Sequence, residues 1–188
     1  MKAFAIGAAL LPAVLWTAAV AGEIDVQKSV MTVRVFKTGI FSVLGHEHEI
    51  SAHIKDGTLS KADHSVEFTV DARQMRVMDK DVSEKDRAEI QENMLGPKVL
   101  DSEKYPEIRF RSTAVEPAGE GRWSVSGDLT LRGQARPLKL AVRAQGGHYQ
   151  GTVELKQRDF GIEPISIGGG AVKVKNELRV EFDIAAKP

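Results

Sequence analysis

The stretch Gly127-Asp128-Leu129-Thr130-Leu131-Arg132-Gly133-Gln134-Ala135-Arg136-Pro137-Leu138-Lys139-Leu140-Ala141-Val142-Arg143 decides the fold. Leu129 and Leu131 alternate with Asp128, Thr130 and Arg132, and Leu138, Leu140 and Val142 alternate with Lys139, Ala141 and Arg143. Period two on both sides of the short polar gap from Gly133 to Arg136 predicts a β-hairpin with one apolar face. Val153 and Leu155 carry the alternation past Gly146-Gly147, so a third strand follows. A meander of this kind cannot stand alone, because its apolar face needs a second layer or closure on itself.

The same alternation extends in both directions. Upstream lie Trp123 and Val125, Ile108 and Phe110 after Tyr105-Pro106, and Val66, Phe68 and Val70 after the Asp56-Gly57 turn. His48, Ile50, Ala52 and Ile54 share one face of an earlier strand, and Met31, Val33 and Val35 mark the first, from Glu23 to Lys37. Downstream, Val172 to Ile184 makes a long last strand. Only one segment changes period. Ser83 followed by Asp86 resembles a capping box, Ala88, Ile90, Met94 and Leu95 run at helical spacing, and Gly96-Pro97 stops the run, which predicts a helix over Glu84 to Leu95.

The expected fold is therefore all-β, with about eight antiparallel strands joined mainly in chain order and one inserted helix. Eight strands close into a barrel wide enough for a small ligand. A two-sheet sandwich is the rival, and the continuous alternation along long strands favours the barrel. Met31, Val33, Val35, Ile50, Phe68, Val70, Phe110, Leu129, Leu131, Val153, Leu155, Val180 and Phe182 are expected to face its interior. Parity leaves open whether these side chains fill the barrel or line a hollow.

The chain of 188 residues suits one domain, taken as 22–188, behind a leader at 1–21. In the leader Lys2 is the single charge, Ala3 to Ala19 is apolar, and Ala19-Val20-Ala21 has the small-x-small pattern cut by signal peptidase. A cleaved signal peptide, and a periplasmic or secreted protein, are the expectation. There is no cysteine, so the domain rests on its core rather than on disulfides and carries no lipidated cysteine anchor. The formal net charge is zero and the basic residues are scattered, which gives no field for nucleic acid.

No nucleophile and base are recognisably paired, and no phosphate-binding loop, dinucleotide fingerprint or zinc-protease helix occurs, so no enzyme and no cofactor are expected. His46 and His48 are the sharpest chemical feature. Residues i and i+2 on a strand project the same way, so two imidazoles there have the spacing of metal ligands if a third, such as His64 or a carboxylate, is supplied by a neighbouring strand. The competing expectation, which the missing third ligand favours, is a polar rim at the barrel mouth, hydrogen-bonded to water or to Glu47 and Glu49.

The domain resembles the YceI-like family of exported polyisoprenoid-binding proteins. Asp25 to Ser29 with Met31, Val33, Val35 and Gly39 is similar to that family's opening strand, and Lys104-Tyr105-Pro106-Glu107-Ile108-Arg109-Phe110 to its aromatic-proline signature. Gly127 to Gly133 with Pro137 to Leu140, and then Arg158-Asp159-Phe160-Gly161, match its hairpin and late turn in the right order. Lys28 and Lys37 stand where the family usually has histidines. The resemblance implies a lipocalin-like barrel whose inward residues hold a long apolar molecule, polyisoprenoid or quinone-like. A metal- or haem-associated redox or stress protein using His46 and His48 is the alternative. Transient contact with a membrane partner is compatible with the carrier, and oligomeric state is unread.

Overall fold

In the computed structural model, residues 22–38, 47–167 and 172–187 are described. Residues 1–21, where a leader is expected, His46 and the Gly168-Gly169-Gly170 run lie outside them.

The strands are β1 (Gly22–Glu23), β2 (Val30–Thr38), β3 (His48–Ser51), β4 (Ile54–Ser60), β5 (Ser65–Asp71), β6 (Arg76–Val77), β7 (Glu107–Pro117), β8 (Arg122–Leu131), β9 (Gln134–Gln145), β10 (His148–Lys156), β11 (Ser166–Ile167) and β12 (Val172–Ala185). All pairings are antiparallel, in the order β1-β4-β5-β7-β8-β9-β10-β12-β2-β3-β6, with β11 beside β12.

The β1 edge of this curled sheet meets the end of β12. Ile24 bridges Ala186, the Asp25 amide donates to the Ala185 carbonyl at 2.8 Å and the Lys187 amide to the Glu23 carbonyl at 2.9 Å. β1 thus joins the end of β12 to β4, and an all-β barrel results. Its strand count departs from the expected eight. The first predicted strand is split into β1 and β2 by a turn in which the Ser29 hydroxyl donates to the Asp25 carbonyl at 2.8 Å. The second is split into β3 and β4 at Ala52-His53. β6 and β11 are short additions. With the halves rejoined, the eight long strands of the sequence reading are recovered.

The helix α1 spans Glu84–Leu95, the predicted range. Its ends are set by local chemistry. The Ser83 hydroxyl accepts from the Asp86 amide at 3.1 Å, and the chain leaves the helix at Gly96. Gln91 then ties the helix to the sheet: its carbonyl accepts from the Val77 amide at 2.8 Å and its amide donates to the Met75 carbonyl at 2.9 Å. The edge at β6 is thereby covered instead of exposed. Met94 and Leu100 bury against Ile50, Met75 and Val77, so α1 and the residues after it close one end of the barrel.

The hairpin that decided the fold turns more tightly than its sequence suggests. Leu131 pairs with Gln134, so the loop is Arg132-Gly133 alone, with φ of 50° and 72°. Two positive φ values are what a two-residue hairpin turn requires. Gln134 to Arg136 belong to β9, where polar side chains reach the barrel's edge. From the turn, the Arg132 guanidinium donates to the Pro97 and Gly161 carbonyls, each at 2.7 Å. The hairpin is thus fastened to the segment after α1 and to the late turn.

Candidate functional site

The interior is hollow. Buried side chains form two clusters, one around Ile50, Ile54, Val70 and Ile184 beside α1, the other around Phe110, Leu129, Leu155 and Val180. Between them lies an almost wholly apolar cavity of about 450 Å³. Close-packed cores hold few voids larger than a water molecule, so this volume is a cavity and not a packing defect. Among its polar lining residues, Lys61 and His64 on the β4–β5 turn and Ser65 at the start of β5 lie at one end, and Lys156 and Gln157 at the other.

Each of Met31, Val33, Val35, Ile50, Phe68, Val70, Phe110, Leu129, Leu131, Val153, Leu155, Val180 and Phe182 lines this cavity. They differ in how they do so. Val70 is 2% exposed and packed on all sides, whereas Met31, Val33, Phe68, Val153 and Phe182 keep surface open toward the hollow. The wall also includes Val66, Trp123, Val125, Leu138, Leu140, Val142, Tyr149 and Leu178. Strand parity carries the signal for these residues too, since each alternates with polar or small neighbours. His64, with φ of 45°, sets its ring edge-on to Trp123 at 5.4 Å, a contact that no local pattern announces.

Two glycines keep the bore open. A Cβ on Gly127 would stand 2.6 Å from Cζ of Phe110, and one on Gly151 would stand 2.5 Å from Cζ of Phe182. Each ring tip therefore occupies the space that a side chain at the glycine would fill. Any larger residue would drive it inward.

His48 lines a mainly polar surface recess together with Arg34, Glu47, Glu49 and Asp79. It pairs opposite Val35 at the helix-covered end, and its Nδ1 lies 2.6 Å from Oδ2 of Asp79, whose side chain is 3% exposed. The other carboxylate oxygen, Oδ1, accepts from the Glu49 amide at 2.7 Å, and the Arg87 guanidinium donates to the Asp79 carbonyl at 2.8 Å. The carboxylate bonded to its ring is thus that of Asp79, 31 residues away, and not that of Glu47 or Glu49. Nearby, burial pushes the Lys37 ammonium below its ordinary range, opposed by the Asp79 charge. His64 sits on the β4–β5 turn, separated from His48 by the length of β4, so it is not the third ligand to a shared ion. Among the described residues no three His, Cys, Asp or Glu side chains converge as metal ligands.

His48→Ala leaves a buried carboxylate short of a partner. It is expected to lower stability by about 1–3 kcal/mol, the penalty for an unsatisfied buried polar group. Urea denaturation with and without added Zn²⁺ checks this. The loss should be the same in both.

Comparison with known proteins places this geometry. A UPF0312 protein of Vibrio cholerae is 31% identical over 127 residues, a match covering 62% of this chain and 61% of the relative's length. One from Shewanella putrefaciens is 30% identical over 135 residues, covering 63% of this chain and 70% of the relative. The crystal structure of BcnA from Burkholderia cenocepacia superposes with a TM-score of 0.63 at 22% identity, covering 87% of this chain and 99% of that one. A polyisoprenoid-binding domain from Saccharophagus degradans does so at 0.60 and 13% identity, covering 89% and 98%. At those identities the two structures establish the shared fold. The YceI-like domain family matches residues 23–186, from the first paired strand to the closing bridge, and the chain belongs to that family.

Proposed function

We propose that this protein is an exported carrier that holds one long apolar molecule, a polyisoprenoid or a quinone-like lipid, inside its barrel. The observation that carries the reading is the cavity of about 450 Å³, whose wall is apolar between the β4–β5 turn and the helix-covered end. Apolar surface moved from water into such a wall contributes roughly 25 cal/mol per Å². The polyisoprenoid-binding domain that shares the fold supports the choice of ligand class. The leader sequence supports export to the periplasm or beyond, and transient contact with a membrane is in keeping with loading and unloading. The inward residues of β2, β5, β7, β8, β10 and β12 are the proposed contacts to the tail.

The test uses solanesol, a long-chain polyprenol, presented in phosphatidylcholine vesicles. Trp123 is the single tryptophan of residues 22–188 and lines the cavity, so its emission reports binding. Saturating solanesol at about a hundred times its Kd should stabilise the fold by roughly 2.7 kcal/mol. Val33→Trp, at a half-buried wall position, should suppress that stabilisation at least ten-fold while the barrel stays folded. Val70 is the wrong place for such a plug: its side chain is fully enclosed, so a tryptophan there would overpack the core before it narrowed the hollow. Absence of a Trp123 response and of any melting shift in the wild type would sink the carrier reading.

A further inference from the structure

We infer that the wall between β9 and β10 is a seam that parts and rejoins, and that the apolar ligand passes sideways through it. The inference rests on the carrier reading and adds the route to it.

The seam is visible in the pairing. β9 runs beside β8 from Arg122↔Arg143 to Leu131↔Gln134, and β10 runs beside β12 along its whole length, from His148↔Ala185 to Lys156↔Glu177. Between β9 and β10 only four pairs form, His148↔Gln145 to Gly151↔Val142. Beyond that apex the two strands diverge toward the helix-covered end. The single-turn helix Gln157–Phe160 fills the wide part of the wedge, burying Phe160 and, just after it, Ile162. Above this stopper the divergent strands turn Leu138, Leu140 and Val153 inward, and all three line the cavity while remaining only half-buried. A gap between these strands therefore opens directly onto the hollow.

The residues along the gap suit a wall that can rejoin. Continuing the register of Gly151↔Val142 would set Ala141 against Thr152, Leu140 against Val153 and Lys139 against Glu154. That pairing is apolar inside and oppositely charged outside, the arrangement that favours neighbouring strands. In the parted state Glu154 turns instead to Arg179 on β12, at 3.6 Å. Pro137 is consistent with an edge that is not permanently paired. Ala141 points its carbonyl at Gly151, and peptide groups on a strand alternate, so Pro137 presents the same edge, where it has no N–H to donate. A seam also spares the ligand a passage along the full barrel axis, because an extended tail crosses the wall broadside with its apolar surface facing Leu140 and Val153 throughout.

The chain contains no cysteine, so a designed thiol pair is unambiguous. Lys139→Cys with Glu154→Cys places one thiol on each outer lip of the gap. A disulfide needs Cα atoms within about 7 Å, so its formation in mild oxidant reports closure. The expected result is complete oxidation. Solanesol uptake from vesicles, followed by Trp123 emission, should then be at least ten-fold slower than in the reduced protein, with the same final emission and full recovery on adding dithiothreitol. Arg122→Cys with Arg143→Cys, across the already paired β8 and β9, serves as the control and should leave the rate unchanged. Failure of the first pair to oxidise, or oxidised protein that fills as fast as reduced, overturns the seam. Slowing by the control pair overturns it as well, because those residues flank the end of the barrel at the β4–β5 turn and would mark the route there. A wild type that never responds to solanesol removes the carrier reading and the seam together, an outcome distinct from equal rates in a protein that binds.

Discussion

Gly151→Val is expected to abolish solanesol binding and to lower stability by about 1–3 kcal/mol, the usual range for an overpacked core site. Both effects have one source. The new Cβ would stand 2.5 Å from Cζ of Phe182 and 2.7 Å from the Ala141 carbonyl oxygen. The ring can yield only by swinging off the wall into the cavity, and the carbonyl belongs to β9 at the apex where it meets β10. The hollow therefore loses volume and the short pairing of β9 with β10 is pushed apart at its apex. Gly127→Ala is the milder counterpart, because its Cβ would meet Cζ of Phe110 at 2.6 Å and the Arg111 carbonyl at 2.5 Å. Denaturant titration gives the stability change and Trp123 emission gives the binding. If Gly151→Val bound solanesol as the wild type does, Phe182 would not set the bore.

The second large effect is expected at Arg132. Its guanidinium donates to the Pro97 and Gly161 carbonyls, so one side chain holds the hairpin, the segment after α1 and the late turn together. Hydrogen bonds from a charged donor contribute about 1.5–3 kcal/mol when shielded, and less where water competes, so Arg132→Ala is expected to lose about 1–2 kcal/mol. Arg132 also holds φ of 50°, a region that glycine enters without strain. Arg132→Gly should therefore recover part of the loss although it restores no hydrogen bond. Hydrogen exchange supplies a second readout: amides of residues 97–105 should exchange faster in both variants, while those of β10 and β12 stay protected. Equal protection of 97–105 in wild type and Arg132→Ala would show that the helix-covered end is held by α1 packing alone.

The clasp also explains why separate short signatures were legible as a family resemblance before their contacts were known. A Cβ on Gly133 would meet Cε1 of Tyr105 at 2.8 Å, and one on Gly161 would meet Nε2 of Gln134 at 2.5 Å. The aromatic-proline stretch, the hairpin turn and the late turn thus meet at one end of the barrel. Gly133 leaves room for Tyr105, Gly161 leaves room for Gln134, and Arg132 ties the hairpin turn to the late turn. Sequence spacing displays the three pieces in order and leaves out that they touch.

Local chemistry alone determined which way side chains point and where the helix begins and ends. Alternation in β8, β9 and β10 assigns an inner and an outer face because successive residues on a strand project oppositely. Ser83 and Gly96 bound α1 because capping acts on neighbouring amides and carbonyls. Tertiary structure decided the rest, for reasons of distance. Whether Met31, Val33 and Phe68 fill a core or border a cavity depends on how far away the opposite wall stands, which no strand encodes by itself. Partnership of His48 with Asp79 depends on β6 pairing with β3, which lays a segment 31 residues away alongside Glu49 and His48. The seam is the clearest case, since alternation runs unbroken through Leu138, Leu140, Val153 and Leu155. Only the pairing of β9 with β8 and of β10 with β12, together with Phe160 in the wedge, sets those two strands apart.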